Sequence, residues 1–548
     1  MKYLYRYWSA FSAIIISSII AAPSQAESLP EANIDAIKAH LTFLSHDELR
    51  GRETGTPGHE IASLYIASQF QQYGLKPKGE NGTYFQRVNF RHALIDQDSP
   101  ALTLTVNGKA QALDYPKQYI TSANQNHPEV ALSGDIVFVG YGIVAPELKH
   151  DDYAGLDVKG KIVAMLSGKP KFFPSEEGAH FASGRQKTKY AVERGAKGII
   201  TVSTPVAEKI RPYKRYLTNL HAPSLRWLKA DGTPASTHPE LLGGAYFSQE
   251  AAKVLFEKAS TSLEDIYAML EEDKVPKGFP LNASMELSSK SAYTTISSPN
   301  VVGLLEGSDP ELKHEYVVFT AHSDHTGIAK SVKKDRINNG AMDNASGTAV
   351  LLETARVFSQ MPAPKRSILF VAVTAEEKGL LGSDYFAQNP TVPVTSMVAN
   401  INLDMPILLW DFVDVIAFGA NHSDLSKTVS NAAQRLGLKL SPDPWPEQAI
   451  FTRSDHYSFV KQGVPSVFLA PGLATAESPD AGAKIFAEFF ATRYHMPADE
   501  FHDDFNNNAI KKFADVNVMI GDEVANQERK PAWNQGDFFG DTFKQPVK

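Results

Sequence analysis

The sequence contains no cysteine among its 548 residues. The absence of cysteine excludes a disulfide framework, so the stability of the chain has to come from its core and from any bound metal. It also excludes thiolate ligands, which means that any zinc site in this chain must be built from histidine and carboxylate side chains.

The sequence also lacks an excess of positive charge. It has 54 Lys and Arg residues against 62 Asp and Glu residues, which gives a formal net charge of −8. Proteins that bind nucleic acid usually present a basic face, so this balance argues against a nucleic-acid partner. Hydrophobic residues make up 43% of the chain and charged residues 21%, which is the composition of a globular protein.

Long hydrophobic runs are missing as well. A bilayer-spanning helix needs about 20 apolar residues, and no run in this sequence is that long. The longest apolar run, at residues 8–22, follows two basic residues and precedes Ser24-Gln25-Ala26. This order is typical of a secretory signal peptide, and we expect residues 1–26 to be removed by cleavage. The mature protein is then expected to be exported, to the periplasm or out of the cell, without a membrane anchor.

The remaining chain is longer than one hydrophobic core usually organises, so we expect two domains. Residues 101–292 begin with short alternating runs and glycine turns, which are typical of a small β-rich module. From residue 298 onward, buried apolar strands alternate with helices, and this pattern indicates an α/β sheet covered on both faces. We therefore expect residues 27–100 and 293–548 to form one α/β domain that residues 101–292 interrupt.

A histidine and several acidic residues follow three of the predicted buried strands. The first strand is followed by His322, the second by Glu376-Glu377 and the third by Asp404. In open α/β sheets, ligands bind in the crevice outside the carboxyl ends of the strands, so these side chains are expected to converge. Since histidine and carboxylates are zinc ligands, the pattern predicts a site for metal-assisted hydrolysis.

Two local spacings fit such a site. His322 and Asp324 are two residues apart, so in an extended segment they point to the same side, and Asp324 is expected to accept the free imidazole N–H. Glu376 and Glu377 are adjacent and should diverge. One of them can then bind a metal while the other faces a water molecule as a general base.

Other candidate residues carry little weight by themselves. Asp343 lies in a glycine-punctuated loop just before a predicted helix, where a helix cap is at least as good an explanation. His495 lies in a predicted turn near the C-terminus. The remaining histidines are interpreted as ordinary packed or solvated side chains; those singled out are His325, His422, His456 and His502.

Together, these segments resemble the motif series of metallopeptidase family twenty-eight, which contains secreted bacterial dizinc aminopeptidases. The motifs are, in order, His322-Ser323-Asp324, Gly340–Gly347, Glu376-Glu377, Asn402–Met405 and Tyr494-His495. The resemblance implies a zinc-exopeptidase fold with a mixed central sheet and helices on both faces. The run from Val139 to Gly198 resembles a protease-associated domain, which is the expected identity of the insert at residues 101–292.

The resemblance also implies two Zn²⁺ ions per chain and identifies the residues that would bind each ion. Asp343 would bridge the two ions. His322 and Asp404 would complete the first site, and Glu377 and His495 the second. The family further implies a cis peptide bond between Asp343 and Asn344.

Three more roles follow from the resemblance. Glu376 would be the general base that activates the attacking water. Tyr494 is adjacent to a ligand and would donate a hydrogen bond to the oxyanion, and Arg453 lies in a segment that resembles the substrate-binding cleft of the family. For both residues, packing or a surface salt bridge is an equally good explanation. One departure is Met342, which stands where many family members carry an aspartate, at a position that is not a ligand.

Peptides are the expected substrates, and an aminopeptidase is the leading hypothesis. A carboxypeptidase or dipeptidase with the same dizinc site is the alternative. A binding protein on an inactive peptidase scaffold, as in the transferrin receptor ectodomain, predicts lost ligands, whereas every ligand position is retained here. A glutaminyl cyclase is the last alternative, since it shares the fold but uses one zinc; the expected insert and the complete ligand set argue against it. The residue pattern leaves the preferred side chain, the oligomeric state and the role of the insert open.

Overall fold

The computed structural model describes residues 31–544, except residues 219, 330, 331 and 333. The predicted signal peptide lies outside the described residues. Within the described range, the helices are all too short or too polar to cross a membrane.

The described chain begins with two helices and two strands: α1 (Ile34–Leu44), α2 (Pro57–Gln72), β1 (Lys76–Pro77) and β2 (Phe85–Ile95). Helix α1 begins after Asn33, whose side chain accepts the N–H groups of Asp35 and Ala36. Such a cap satisfies donors that the first turn leaves free. The buried face of α1 then includes Ile37 and Leu41, which join the main hydrophobic core.

In the next segment, the described residues form ten strands and six helices. The strands are β3 (Ala101–Val106), β4 (Lys109–Leu113), β5 (Tyr119–Ile120), β6 (Glu129–Phe138), β7 (Val144–Ala145), β8 (His150–Asp151), β9 (Ile162–Leu166), β10 (Gly198–Val202), β11 (Ser224–Trp227) and β12 (Gly243–Phe247). The helices are α3 (Ser175–Ala182), α4 (Gly184–Glu193), α5 (Pro205–Ile210), α6 (Tyr213–Leu217), α7 (Gln249–Phe256) and α8 (Leu263–Glu271).

Most of these strands form one sheet with its own apolar core. Strands β6, β9, β10 and β12 are parallel neighbours, while β3 with β4 and β5 add antiparallel edges. Phe138, Ile200 and Phe247 are fully buried in the core of this second sheet. The segment therefore has a hydrophobic centre separate from that of the α/β part.

The long strand β13 (Phe279–Leu305) joins the two sheets. Its first half pairs with β3 and β6 of the second sheet, and its second half pairs with β2. The strand runs without interruption across the boundary expected at residue 292. Strand β11, which lies inside the expected insert, pairs with β2. The domain boundaries at residues 100 and 292 stay a prediction.

The rest of the chain completes the α/β part. Its strands are β14 (Tyr316–His322), β15 (Ser367–Val373), β16 (Met397–Asn402), β17 (Asp414–Phe418), β18 (Lys439–Ser441) and β19 (Ser466–Pro471). Its helices are α9 (Ser346–Gln360), α10 (Leu381–Gln388), α11 (Leu425–Arg435), α12 (His456–Val460), α13 (Ala481–Thr492), α14 (Asn507–Asn526) and α15 (Phe538–Thr542).

The first sheet is mixed, with its strands in the order β11-β2-β13-β15-β14-β16-β19-β17-β18, and the short strand β1 also pairs with the end of β13. Strands β15, β14, β16 and β19 are parallel neighbours, and β13 and β17 run antiparallel beside them. Strand β15 is buried along its whole length. Helices α1, α9 and α14 cover one face, while Phe386 of α10 and Phe459 of α12 pack on the other. The predicted mixed α/β sheet with helices on both faces is confirmed.

His422 connects three parts of the chain through two carboxylates. Its Nε2 lies 2.6 Å from Glu176 of α3, and its Nδ1 lies 2.6 Å from Asp537 beside α15. Burial opposes a charge on the imidazole. The hydrogen bonds and charges of Glu176 and Asp537 outweigh burial and raise the pKa of His422 to about 9.

We expect this contact to make the stability of the fold depend on pH. Because the folded pKa exceeds the unfolded value of 6.5, the stabilisation is complete below about pH 6.5 and is lost as the pH rises through about 9. The difference corresponds to roughly 3 kcal/mol in the free energy of unfolding. Urea unfolding at about pH 6 and about pH 10 should show this loss in the wild type and not in His422→Gln. The control is His502→Gln, at a half-exposed histidine; equal pH dependence in all three proteins would contradict the assignment.

Candidate metal centre

The carboxyl ends of β14, β15 and β16 meet at one edge of the first sheet. Strand β14 lies between the other two and runs parallel to both, so the segments that follow these strands emerge side by side. His322 ends β14, Glu376 follows β15, and Asp404 follows β16. The convergence expected from the strand ends is therefore present.

One cluster of side chains forms around His322. Its Nε2 lies 3.1 Å from Asp404 Oδ1 and 3.4 Å from Asp343 Oδ1. All three residues are buried, and their ligand atoms lie within 4.8 Å of one another. Such a compact set of N and O donors can hold a divalent metal ion.

A second cluster forms around the other oxygen of Asp343. His495 Nε2 lies 3.0 Å from Asp343 Oδ2 and 3.2 Å from Glu377 Oε2. Asp343 thus directs one carboxylate oxygen to each cluster, as expected for a bridging ligand. The structure brings together all the ligands implied by the resemblance, and the peptide bond between Asp343 and Asn344 is cis as predicted.

His325 also belongs to the second cluster, although its interpretation as an ordinary histidine gave it no role there. Its Nδ1 lies 2.7 Å from Glu377 Oε1 and 4.0 Å from Asp343 Oδ2, and the residue is fully buried. The interpretation of His325 is corrected accordingly. The signal in the sequence is its position directly after Asp324, in the segment that leaves strand β14 for the site.

Asp324 supports the site in a different way from the one expected. His322 Nδ1 lies 3.9 Å from the Asp324 carboxylate but 3.2 Å from the Asp324 backbone carbonyl, so the carbonyl is the acceptor that orients the imidazole. The carboxylate instead accepts the backbone N–H of Glu376 at 3.0 Å and the hydroxyl of Thr54 at 3.0 Å. Asp324 therefore fixes the segment that carries Glu376.

Two supporting residues that the sequence reasoning missed hold the Asp343 loop. The carboxylate of Asp499 accepts the backbone N–H groups of Met342 at 2.9 Å and Asp343 at 3.0 Å. The second is Arg52, which is 1% exposed. Its guanidinium donates to the backbone carbonyls of Ser323, Asn339 and Gly340 at 3.1, 2.6 and 3.0 Å. Arg52 thereby connects the His322 segment to the loop that carries Asp343.

The electrostatics of the site favour a cation. Burial raises the pKa of Glu376 well above its ordinary value, and the carboxylates of Asp404 and Glu377 add to this effect against the opposing charge of His322. Burial would also raise the pKa of Asp343, but hydrogen bonds with His322 and His495 outweigh it and hold that pKa well below its ordinary value. Several buried carboxylates in contact with imidazoles form a donor set that fits zinc, which takes histidine nitrogen and carboxylate oxygen.

The remaining predicted residues line a cavity of about 120 Å³ above the clusters. Tyr494 lies against His495 with their ring centres 3.9 Å apart, and burial raises the pKa of its hydroxyl. Arg453 lines the same cavity and donates to the Gln448 carbonyl at 3.4 Å. The rest of the lining is largely apolar, with Trp410, Ile416, Phe418, Phe468, Phe486 and Phe490. Glu376 and Tyr494 therefore share one pocket, and Arg453 lines its wall.

Comparison with known proteins identifies the part of the chain that carries this site. Residues 300–520 match peptidase family M28. Aminopeptidase YwaD of Bacillus subtilis (strain 168) is 27% identical over 250 residues, which are 44% of this chain and 48% of that protein. This chain thus spans about half the length of that relative. A probable zinc metalloprotease of Pyrenophora teres f. teres (strain 0-1) is 38% identical over 111 residues, 20% of this chain and 23% of that protein.

A solved structure shares the fold. The aminopeptidase from Aneurinibacillus sp. strain AM-1 has a TM-score of 0.52 and 19% identity, and the match covers 91% of this chain and 96% of that chain. The residues that match the family include strands β14 to β19 and every predicted ligand from His322 to His495. The part of the chain that matches peptidase family M28 therefore contains the candidate metal centre.

Proposed function

We propose that this protein is an exported zinc aminopeptidase that removes N-terminal residues from peptides. The observation that carries the proposal is the pair of buried clusters that share Asp343, placed beside Glu376 in one pocket. With Asp324, Asp455 and Asp499 included, the buried carboxylates at the site outnumber the positive charges of two zinc ions. The site therefore attracts the α-ammonium group of a peptide and repels its α-carboxylate. The relatives that are named aminopeptidases also support cleavage at the N-terminal end of the substrate.

The residues present fit two zinc ions. His322 and Asp404 would hold the first and Glu377 and His495 the second, with Asp343 between them. When bound, zinc lowers the pKa of a water molecule and polarises a carbonyl group. The relative named as a probable zinc metalloprotease supports this metal.

Glu376 is the group that moves protons in this proposal. Its carboxylate lines the pocket but belongs to neither cluster, so it is free to face the attacking water. Buried, negatively charged surroundings give a carboxylate a high affinity for a proton. Glu376 would take the proton of the water and deliver it to the nitrogen of the leaving amine.

Two further side chains act on the substrate. The Tyr494 hydroxyl, kept protonated by burial, would donate a hydrogen bond to the scissile carbonyl oxygen as negative charge develops on it. The apolar lining would receive the N-terminal side chain, because burying apolar surface there is favourable. Arg453 would contact the peptide farther along the same wall.

Two more parts of the proposal rest on sequence patterns. The arrangement of basic, apolar and small residues at 1–26 supports export. The glycine and strand pattern within residues 101–292 supports a protease-associated domain, and a β-rich sheet with its own core is compatible with it.

Acetylation of the substrate N-terminus is expected to lower cleavage by at least about 100-fold, because it removes the charge that the carboxylates bind. The measurement compares Leu-Gly-Gly with N-acetyl-Leu-Gly-Gly on the zinc-loaded protein. Blocking the other end separates the carboxypeptidase alternative, in which Arg453 would bind the terminal carboxylate. If the acetylated peptide is cleaved as fast as the free one and the C-terminal amide is not cleaved, the aminopeptidase proposal is wrong.

A further inference from the structure

The pocket above the clusters continues into a much larger cavity of about 1180 Å³. The two cavities share six lining residues, which are Trp445, Gln448, Arg453, Phe486, Phe490 and Tyr494. The far wall of the large cavity is formed by the segment with helices α5 and α6 and by the loop before α3. We call this large cavity the outer cleft; a peptide whose N-terminal residue lies in the small pocket has to extend into it.

The outer cleft is basic, in contrast to the chain as a whole. Its lining carries five basic side chains and two acidic ones, Glu271 and Glu447, whereas the complete chain has 62 acidic and 54 basic residues. Lys171 is balanced by Asp273, whose carboxylate lies 2.5 Å away, and Lys169 lies in the field of Glu447. The uncompensated charge of the cleft therefore comes from its arginines.

Three arginines of the cleft lack an acidic partner among the residues that the structure describes, and two of them lie over aromatic rings. Arg211 lies 5.7 Å from the ring centre of Tyr216, and Arg215 lies 5.8 Å from the ring centre of Tyr494. Arg453 donates only to a backbone carbonyl, at 3.4 Å. Contact with a ring face holds a guanidinium in place without using its N–H donors. Those donors remain available for a ligand in the cleft.

We propose that Arg211, Arg215 and Arg453 bind a carboxylate of the peptide on the leaving side of the scissile bond. This inference rests on the proposed function, because it takes the N-terminal residue to occupy the small pocket. Guanidinium groups bind carboxylates through paired, charge-assisted hydrogen bonds. The preferred substrates are then short peptides that carry a carboxylate within a few residues after the cleaved bond, either at the C-terminus or on an acidic side chain.

The arginines and the metal centre would bind different ends of the peptide, because they lie in different parts of the site. Arg453 lines both cavities, while Arg211 and Arg215 line only the outer cleft. The carboxylate clusters at the end of the small pocket attract the positively charged end of a peptide, and the arginines attract a negative group farther out. A short zwitterionic peptide therefore meets opposite charges at its two ends, which fixes its direction in the site.

The test compares pairs of peptides that differ by one carboxylate. With the zinc-loaded full chain, we expect KM for Leu-Gly-Gly to be roughly tenfold lower than KM for Leu-Gly-Gly-amide. A second pair, Leu-Gly-Glu-amide and Leu-Gly-Gln-amide, asks the same question for a side-chain carboxylate. In Arg211→Gln/Arg215→Gln the preference should fall below about twofold, and raising the ionic strength should weaken it in the wild type.

Lys171→Gln is the matched control. It also removes a positive charge from the wall of the outer cleft, but Asp273 already balances that charge. It should keep the wild-type preference. If KM does not distinguish the members of either pair, or if the preference survives in the double arginine variant, the inference is overturned. Arg453→Gln provides an independent second variant, and circular dichroism checks that each protein is folded.

Two measurements separate this inference from the proposed function. Cleavage of leucine p-nitroanilide, which has no carboxylate, tests the aminopeptidase proposal alone. Calorimetric binding of Gly-Gly-Gly and of its amide to Glu376→Gln, in which turnover is expected to be lost, tests the arginines without cleavage of the peptide. Cleavage of the anilide combined with equal binding of the two tripeptides would overturn only the inference, and no cleavage with tighter binding of the free acid would overturn only the proposed function.

Discussion

Replacing Glu376 with alanine is expected to lower kcat by roughly 10²–10⁴-fold while zinc remains bound. The carboxylate lines the pocket beside His322, Asp343 and Asp404 but contributes no atom to either cluster. In the proposed mechanism, loss of the side chain therefore removes the proton acceptor and leaves the proposed metal ligands in place. The backbone of residue 376 stays fixed, because its N–H donates to the Asp324 carboxylate whichever side chain it carries.

The measurement pairs kcat on Leu-Gly-Gly with the zinc content of each protein. Glu376→Gln preserves the shape of the side chain but cannot accept the proton, so it should lose turnover to a similar extent. Glu264→Gln removes a carboxylate from the exposed surface of α8 and serves as the control. Wild-type turnover in Glu376→Ala would rule out Glu376 as the base. Loss of zinc from this variant would instead show that its carboxylate is a ligand.

The central sheet could be predicted because its strands are continuous apolar runs. A strand buried on both faces has no polar alternation, and β15, from Ser367 to Val373, is buried at every position. Because His322, Glu376 and Asp404 each follow the carboxyl end of such a strand, they are expected at one edge of the sheet without further information. This is why the strand-end part of the site follows from local pattern.

The remaining part of the site depends on contacts between distant segments. Asp499 binds the backbone of Asp343 across 156 residues, and Arg52 reaches the carbonyl of Asn339 across 287 residues. No local spacing reports such pairs. The glycine at position 340 is a partial signal of this close packing in the sequence. Its φ of +59° favours glycine, and a Cβ at this position would lie 2.5 Å from the His325 ring. The resemblance to a family supplied Asp343 and His495, which local spacing left ambiguous.

The connection between the two sheets was also beyond local pattern. A change from alternating to continuous apolar runs marks where the second half of the chain begins, but β13 passes through that point as one strand. Strand β11 has four residues, and its pairing with β2 is set by the fold around it. The basic outer cleft likewise combines Arg211 and Arg215 with Arg453, which are separated in sequence and meet only in three dimensions.

Asp343→Asn is expected to reduce bound zinc from the proposed two ions per chain to none, because Asp343 is the only residue with an oxygen in both described clusters. An amide has one oxygen and no charge, so it cannot replace a carboxylate that serves two cations. Asp404→Asn should remove only the first ion and His495→Gln only the second. Zinc content by atomic absorption after dialysis distinguishes these outcomes, with Asp503→Asn at the surface as the control.

The three variants are also expected to differ in how much zinc stabilises their folded state. Anything that binds only the folded state raises the free energy of unfolding by an amount that grows with ligand concentration over Kd. Added zinc should therefore raise the melting temperature of the wild type most, of Asp404→Asn and His495→Gln less, and of Asp343→Asn not at all. Full zinc content in Asp343→Asn would show that the two clusters do not depend on a shared ligand. Retention of both ions in His495→Gln would assign the second site to His325, whose Nδ1 already lies 2.7 Å from Glu377.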